Sequence, residues 1–86
     1  MKLKDLRMRI DEVDEQIVKL ISNRIALVSG ISMEKKKLRL SIKDTKRERE
    51  VLEHVTLLAK SFYVDEALIH NIFFKIIAHA RKIQKI

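Results

Sequence analysis

Residues 3–31, LKDLRMRIDEVDEQIVKLISNRIALVSGI, contain the pattern that decides the fold. Their apolar residues recur at alternating steps of three and four, the spacing of a helix that buries one seam against other helices. The seam consists of Leu3, Leu6, Ile10, Val13, Ile17, Leu20, Leu27 and Ile31. The series requires an apolar residue four positions after Leu20, but Arg24 stands there. A guanidinium in a packed seam is costly unless an anion meets it, so Arg24 is the first candidate binding residue.

The length of this helix argues for a second copy of the chain. A helix over residues 3–37 would be about 50 Å long, whereas a compact chain of 86 residues is about 30 Å across. The helix must therefore bend near Gly30 and Ser32 or pack along a second copy. Because the apolar seam continues to Ile31, beyond the glycine, we expect a homodimer, in which Gly30 would ease close helix approach.

The composition predicts one all-α domain over residues 1–86. The chain has no proline and one glycine, and its many Leu, Ile, Lys and Glu residues favour helices. The absence of cysteine excludes disulfides and thiolate zinc sites and suits a cytoplasmic protein. The N-terminus mixes charged and apolar residues, and no apolar run is long enough for a membrane span. We therefore expect neither a signal peptide nor a membrane partner.

The positive charge is concentrated in one segment. Of the formal net charge of +7, the segment 34–49 carries +5, from eight basic and three acidic residues. Such a run is compatible with a solvated loop, a small-polyanion site or a nucleic-acid surface. A basic nucleic-acid-binding module remains an alternative, although one Tyr and three Phe provide little for base stacking.

A second, shorter helix follows residues 38–43, where the helical period is lost. Asp44 or Thr45 is a suitable N-cap, and Thr45 with Glu48 fits a capping box. We expect Arg47 to form a surface ion pair. The apolar face comprises Val51, Leu52, Val55, Leu58, Ala59 and Phe62.

A third helix follows a short joint at 61–64, with Asp65 as its N-cap. Its apolar stripe comprises Leu68, Ile69, Ile72, Phe73, Ile76, Ile77, Ala80 and Ile83. Arg81 and Lys82 fall in its last turns, where cations suit the helix dipole. Gln84 lies on the stripe, but a glutamine this close to the chain end is more often solvated.

Arg24 and Lys35 are placed to bracket a small dianion. Their spacing of eleven puts them on one helix face, about 16 Å apart along the axis. Lys35 taken alone is more often a solvated lysine. Arg7 lies about 25 Å from Arg24 along the same helix, so it could reach this ligand only from an antiparallel second helix. By itself Arg7 is an ordinary exposed arginine.

The sequence supports no covalent, nucleotide or metal chemistry. It has no glycine-rich phosphate loop, no nucleophile motif and no metal-ligand spacing among His54, His70 and His79. We therefore expect no cofactor and no metal. Fixed cations, a carboxylate and a glutamine remain, which can bind and polarise a small dianion.

Together these features resemble the all-helical (AroQ-class) chorismate mutases over about residues 3–84. The resemblance lies in LRMRIDEVD at 6–14, Asn23-Arg24, Lys35, DTKRERE at 44–50, Ile72-Phe73, Ile76-Ile77 and Gln84. It implies an intertwined homodimer of one long and two shorter helices per chain, with two shared sites. It also implies the rearrangement of chorismate to prephenate.

The resemblance assigns roles to individual residues. Arg24 and the partner chain's Arg7 would hold the substrate carboxylates. Lys35 would pair with a carboxylate and the ether oxygen, to which Gln84 would also donate. We therefore expect Lys35, Gln84 and Arg24 to be catalytic, because preorganised donors can stabilise negative charge on that oxygen. The reaction requires no acid, base or nucleophile.

The remaining roles concern the ring hydroxyl. Glu48 and the backbone around Asp44 would bind it, with Arg47 in support. The chain departs from the family at Ala80, where some members carry a serine near a carboxylate, and at 32–34, where small residues with glycine are usual. Ala80 would still line the substrate site.

One other activity and one purely structural role compete with this interpretation. Isochorismate-pyruvate lyases share the fold and also bind a dianion with arginines and lysine, but the segment 44–48 looks more like the mutases. A pure dimerisation helix would leave Arg24 unexplained.

Overall fold

The structure, a computed structural model, describes residues 1–84 and is all-helical over that range. Three helices follow one another: α1 (Leu3–Lys37), α2 (Thr45–Ser61) and α3 (Glu66–Gln84). The predicted order of one long and two shorter helices is confirmed. No helix in this range is both long and apolar enough to cross a membrane.

The first helix runs unbroken through Gly30, so the expectation of a break near Gly30 and Ser32 is wrong. A Cβ placed on Gly30 would meet nothing within 4 Å among the described residues. The glycine therefore makes no close contact within this chain, and its conformational freedom only weakens the helix.

Gly30→Ala is expected to raise the free energy of unfolding by about 1 kcal/mol, because alanine restricts the unfolded chain and favours the helix. Urea unfolding followed by circular dichroism measures the change. Ala26→Gly, at an exposed position of the same helix, is the matched control and should lower stability by a similar amount. A loss of stability in Gly30→Ala would instead support the close helix approach that we expect at Gly30 in a homodimer, since the helix of a second chain would then pack against this position.

The molecule is elongated because α1 extends far beyond the other helices. Its dimensions are 55 × 24 × 16 Å and its radius of gyration is 16.0 Å, against about 12 Å for a compact chain of this length. α3 contacts both α1 and α2, whereas α1 and α2 do not approach each other closely within the described range. The core is correspondingly small, and its buried apolar residues are Val28, Val55, Ala59 and Ile77.

The seam of α1 is largely uncovered over its first half. Its six residues from Leu3 to Leu20 expose between 48% and 66% of their surface. A continuous apolar stripe of this length is normally covered in a soluble protein. Nothing in the described part of the chain covers it.

Asp44 and Asp65 cap the two shorter helices as predicted. The Asp44 Oδ1 accepts a hydrogen bond from the Arg47 backbone N–H at 3.0 Å, and the Asp65 Oδ1 accepts one from the Ala67 N–H at 2.8 Å. The predicted Thr45–Glu48 capping box is wrong, because the Glu48 carboxylate turns instead toward α3.

After the end of α1 the chain turns back toward α1. Arg39 adopts a left-handed conformation with φ of 56°, and the Leu40 N–H donates to the Lys35 carbonyl at 2.8 Å. This is the hydrogen bond of a Schellman turn. The reversal brings the carbonyl of Ile42 back to the side chain of Lys35.

Candidate functional site

A cavity of about 260 Å³ lies between α1, the loop after it, α2 and α3. Apolar side chains, including Val28, Val51 and Ile77, form part of its wall. Its polar lining consists of Arg24, Lys35, Asp44, Arg47, Glu48, Arg81 and Gln84. Ala80 also lines it, so the structure brings together every residue predicted for the site except Arg7.

Lys35 and Gln84 meet at the end of the cavity where α1 and α3 finish. The half-buried Lys35 Nζ donates to the Ile42 carbonyl at 2.8 Å and to the Gln84 Oε1 at 3.3 Å. Gln84 exposes only 8% of its surface, so the expectation of a solvated glutamine is wrong, as is that of a freely solvated Lys35.

Their hydrogen bonds also orient both groups. An ammonium can only donate, so the amide oxygen of Gln84 must face Lys35. The Gln84 Nε2 then donates to the Ala80 carbonyl at 3.1 Å. Each group keeps one further N–H, the third of the ammonium and the second of the amide. Two adjacent donors, one charged and one neutral, thus remain for a ligand.

Arg24 is half-buried in the cavity wall. None of the carboxylates within residues 1–84 lies within 4.0 Å of it. It also borders a second cavity of about 270 Å³ between α1 and α3, whose wall includes Ile25, Ile76 and Ile83. The seam cation therefore has no anionic partner in the described chain.

Glu48 pairs with Arg81 across α2 and α3. The Arg81 Nε lies 3.1 Å from the Glu48 Oε2, with the two side chains 34% and 24% exposed. The Nε is buried, but its N–H does not point at the oxygen well enough for a hydrogen bond. The contact is thus a half-buried ion pair, and Arg81 was missed as a site residue. The sequence contained a signal for this: Arg81 stands four residues after Ile77 and three before Gln84, so it is their neighbour on the helix surface.

Asp44 and Arg47 form the outer rim of the cavity. The Asp44 carboxylate is engaged in capping α2. The Arg47 Nη1 lies 3.6 Å from the Glu50 Oε2 in a largely exposed contact, which confirms the expected surface ion pair. Exposed pairs of this kind are weak, so a ligand could draw Arg47 inward at little cost.

Arg7 does not lie at this cavity. It is exposed on the overhanging part of α1, about 25 Å along the helix from Arg24. The chain by itself therefore does not place Arg7 in the site.

The charges around the cavity suit a dianion. Four cations and two carboxylates line it, an excess of two positive charges. A cleft with one dominant sign of charge raises the local concentration of oppositely charged ligands. In the described residues there is no cluster of His, Cys, Asp and Glu that could hold a metal ion.

Comparisons with known proteins point to one family. The model of a family described as chorismate mutase type II matches residues 6–85. A chorismate mutase of Methanocaldococcus jannaschii is 36% identical over 84 residues, covering 98% of this chain and 85% of the relative.

Two longer relatives are similar over a small part of their length. A bifunctional chorismate mutase/prephenate dehydratase of Aquifex aeolicus is 38% identical over 88 residues, covering 98% of this chain and 24% of the relative. A protein of the same description from Buchnera aphidicola is 32% identical over 79 residues, covering 92% and 20%.

Proposed function

Since the chain belongs to the chorismate mutase type II family, we propose that its three-helix cavity is the site that converts chorismate to prephenate. The activity is that of an isomerase in aromatic amino acid biosynthesis. One observation carries the assignment to this cavity: Arg24 has no anionic partner in the described chain and faces the same space as the Lys35–Gln84 pair.

The first contribution of the site is to hold a reactive conformer. The rearrangement breaks a C–O bond and forms a C–C bond within one molecule, so the two ends of the substrate must be folded together. Arg24 at one end of the cavity would hold one carboxylate by hydrogen bonds. The ammonium of Lys35 at the other end would attract the second carboxylate by its charge and keep its free N–H for the ether oxygen. Fixing the reacting atoms in this way lowers the entropic part of the barrier.

The second contribution is electrostatic. Negative charge builds on the ether oxygen as the C–O bond breaks. The free N–H groups of Lys35 and Gln84 are held in place before the substrate arrives by their hydrogen bonds to Ile42, to each other and to Ala80. Donors fixed in advance stabilise developing charge without reorganisation.

The ring hydroxyl would lie toward α2. The Glu48 carboxylate lines the cavity and can accept a hydrogen bond from a hydroxyl, with the backbone around Asp44 beside it and Arg47 supporting at the rim. Ala80 supplies no hydroxyl of its own, so its contribution is the carbonyl that orients Gln84. Of the eight basic residues at 34–49, Lys35 and Arg47 line this cavity.

A homodimer would complete the site. The uncovered seam of α1 can be buried by an antiparallel α1 of a second, intertwined chain, and this arrangement carries the partner's Arg7 toward Arg24 and Lys35. Each dimer would then hold two sites with residues from both chains. The chain would then form a single domain over 1–86 and act in the cytoplasm.

Mixing two inactive variants tests the shared site. Arg7→Ala and Arg24→Ala chains should each be inactive alone, but a mixed dimer contains one site with both arginines intact. Random exchange makes half of the dimers mixed, so about a quarter of the wild-type activity should return. Mass spectrometry of the mixture verifies exchange, and no recovery among verified mixed dimers would contradict sharing.

The activity is tested by supplying chorismate and isochorismate separately and identifying the products. We expect prephenate from chorismate at a rate far above the uncatalysed one. Pyruvate from isochorismate with no prephenate from chorismate would instead identify the lyase. If neither substrate reacts and nucleic-acid affinity falls steeply with salt, the basic binding module would replace this proposal.

A further inference from the structure

Among the described charged residues that line the cavity, Arg81 has no assigned role. A cation in the last turns of a helix interacts favourably with the helix dipole. This explains Lys82, whose side chain is exposed. Arg81 differs from Lys82 because its Nε is buried and lies beside Glu48. A half-buried ion pair contributes little net stability, because desolvation offsets the attraction, so stability alone does not account for this arginine.

The charge of the proposed substrate suggests a role for Arg81 in binding. An unpaired Glu48 carboxylate in the cavity would repel a ligand that carries two carboxylates of its own. With Arg81 at 3.1 Å the pair is neutral, yet its carboxylate can still accept a hydrogen bond, since a carboxylate has about four acceptor directions. Within the described residues no hydrogen bond ends on the Glu48 carboxylate, so its acceptor directions are available to a ligand.

We infer that Arg81 is a positioning residue that neutralises Glu48 and holds it against α3, so that Glu48 can bind the ring hydroxyl of a dianionic substrate without repelling its carboxylates. The inference rests on the proposed function. It predicts that Arg81 acts mainly on substrate binding, because the repulsion is present in the ground state and the transition state alike. Arg81 itself need not contact the reacting atoms.

The variant Arg81→Met keeps the apolar stem and removes the charge. It should raise KM for chorismate about tenfold and lower kcat less than threefold, since the loss falls on uniform binding. Lys82→Met removes an exposed cation from the adjacent position and is the matched control, with KM within twofold of wild type. Circular dichroism checks folding, and Arg81→Gln serves in its place with the same expectation should Arg81→Met lose helicity.

The double variant Arg81→Met/Glu48→Gln separates positioning from a structural role. Glu48→Gln removes the uncompensated charge, so the double variant should recover at least threefold of the KM lost in Arg81→Met. A merely structural ion pair would instead show both the loss and the recovery in the urea midpoint of unfolding, with the KM of the folded enzyme unchanged in both variants.

The outcomes also distinguish this inference from the function on which it rests. A wild-type chain that turns over chorismate, with KM unchanged in Arg81→Met or with no recovery in the double variant, would overturn the inference alone. A wild-type chain without turnover would overturn the proposed function and this inference with it.

Discussion

Arg24→Ala is expected to lower kcat/KM for chorismate about a thousandfold while the chain keeps its helicity and its ability to associate. Truncating one partner of a buried, hydrogen-bonded charge pair costs about 2–5 kcal/mol, which spans thirtyfold to several thousandfold. The fold should survive because Arg24 has no carboxylate partner within the described residues. Replacing it therefore breaks no ion pair and relieves the cost of a cation in the seam.

Two further variants are compared with Arg24→Ala: one conserves the charge and the other is a control at an exposed cation. Arg24→Lys keeps the charge but loses the planar fork that binds a carboxylate with two hydrogen bonds, so its activity should be intermediate. Lys19→Ala removes an exposed cation of α1 that, within residues 1–84, pairs with Glu15 one turn away, and should retain wild-type kinetics. If Arg24→Ala unfolds or fails to associate, Arg24 would be a structural residue, contrary to our proposal.

Lys35→Ala is expected to lower kcat about a thousandfold, with a smaller rise in KM. The substitution removes a preorganised donor, and removal of one such donor costs about 10²–10³ in kcat. It also removes the ammonium that holds the Gln84 amide in place, so the second donor to the ether oxygen loses its orientation. Steady-state kinetics with chorismate give both parameters.

Lys36→Ala is the matched control for Lys35→Ala. Lys36 is the adjacent residue of α1, exposed and outside the cavity, so its loss changes net charge by the same amount without changing the site. Its kcat should stay within twofold of wild type. A Lys35→Ala variant with raised KM but unchanged kcat would show that Lys35 binds ground state and transition state equally.

The helices were predictable because their signals are local. The alternating seam of α1, the Asp44 and Asp65 N-caps and the apolar faces each lie within a few turns of sequence. The continuation of α1 through Gly30 has no comparable local signal, because a single glycine costs about 1 kcal/mol and the residues around it must compensate for that cost.

The side-chain partners were less predictable because they depend on distant residues. Lys35 and Gln84 are 49 positions apart, and no local rule states that the glutamine is buried. Glu48 is a second example. The local sequence predicts a capping box, but the Glu48 carboxylate pairs instead with Arg81 on α3 in a half-buried contact. Because the Asp44 side chain caps α2, the Glu48 carboxylate is free to pair with Arg81.

The small core has a consequence for how this chain behaves in dilute solution. Only four apolar residues of the described chain are buried, while the first half of α1 is largely exposed along its seam. A chain of this kind has little folding free energy of its own. In the proposed dimer, folding and association become one equilibrium, so the thermal midpoint should rise with protein concentration by mass action. Dilution would then remove structure and catalysis together.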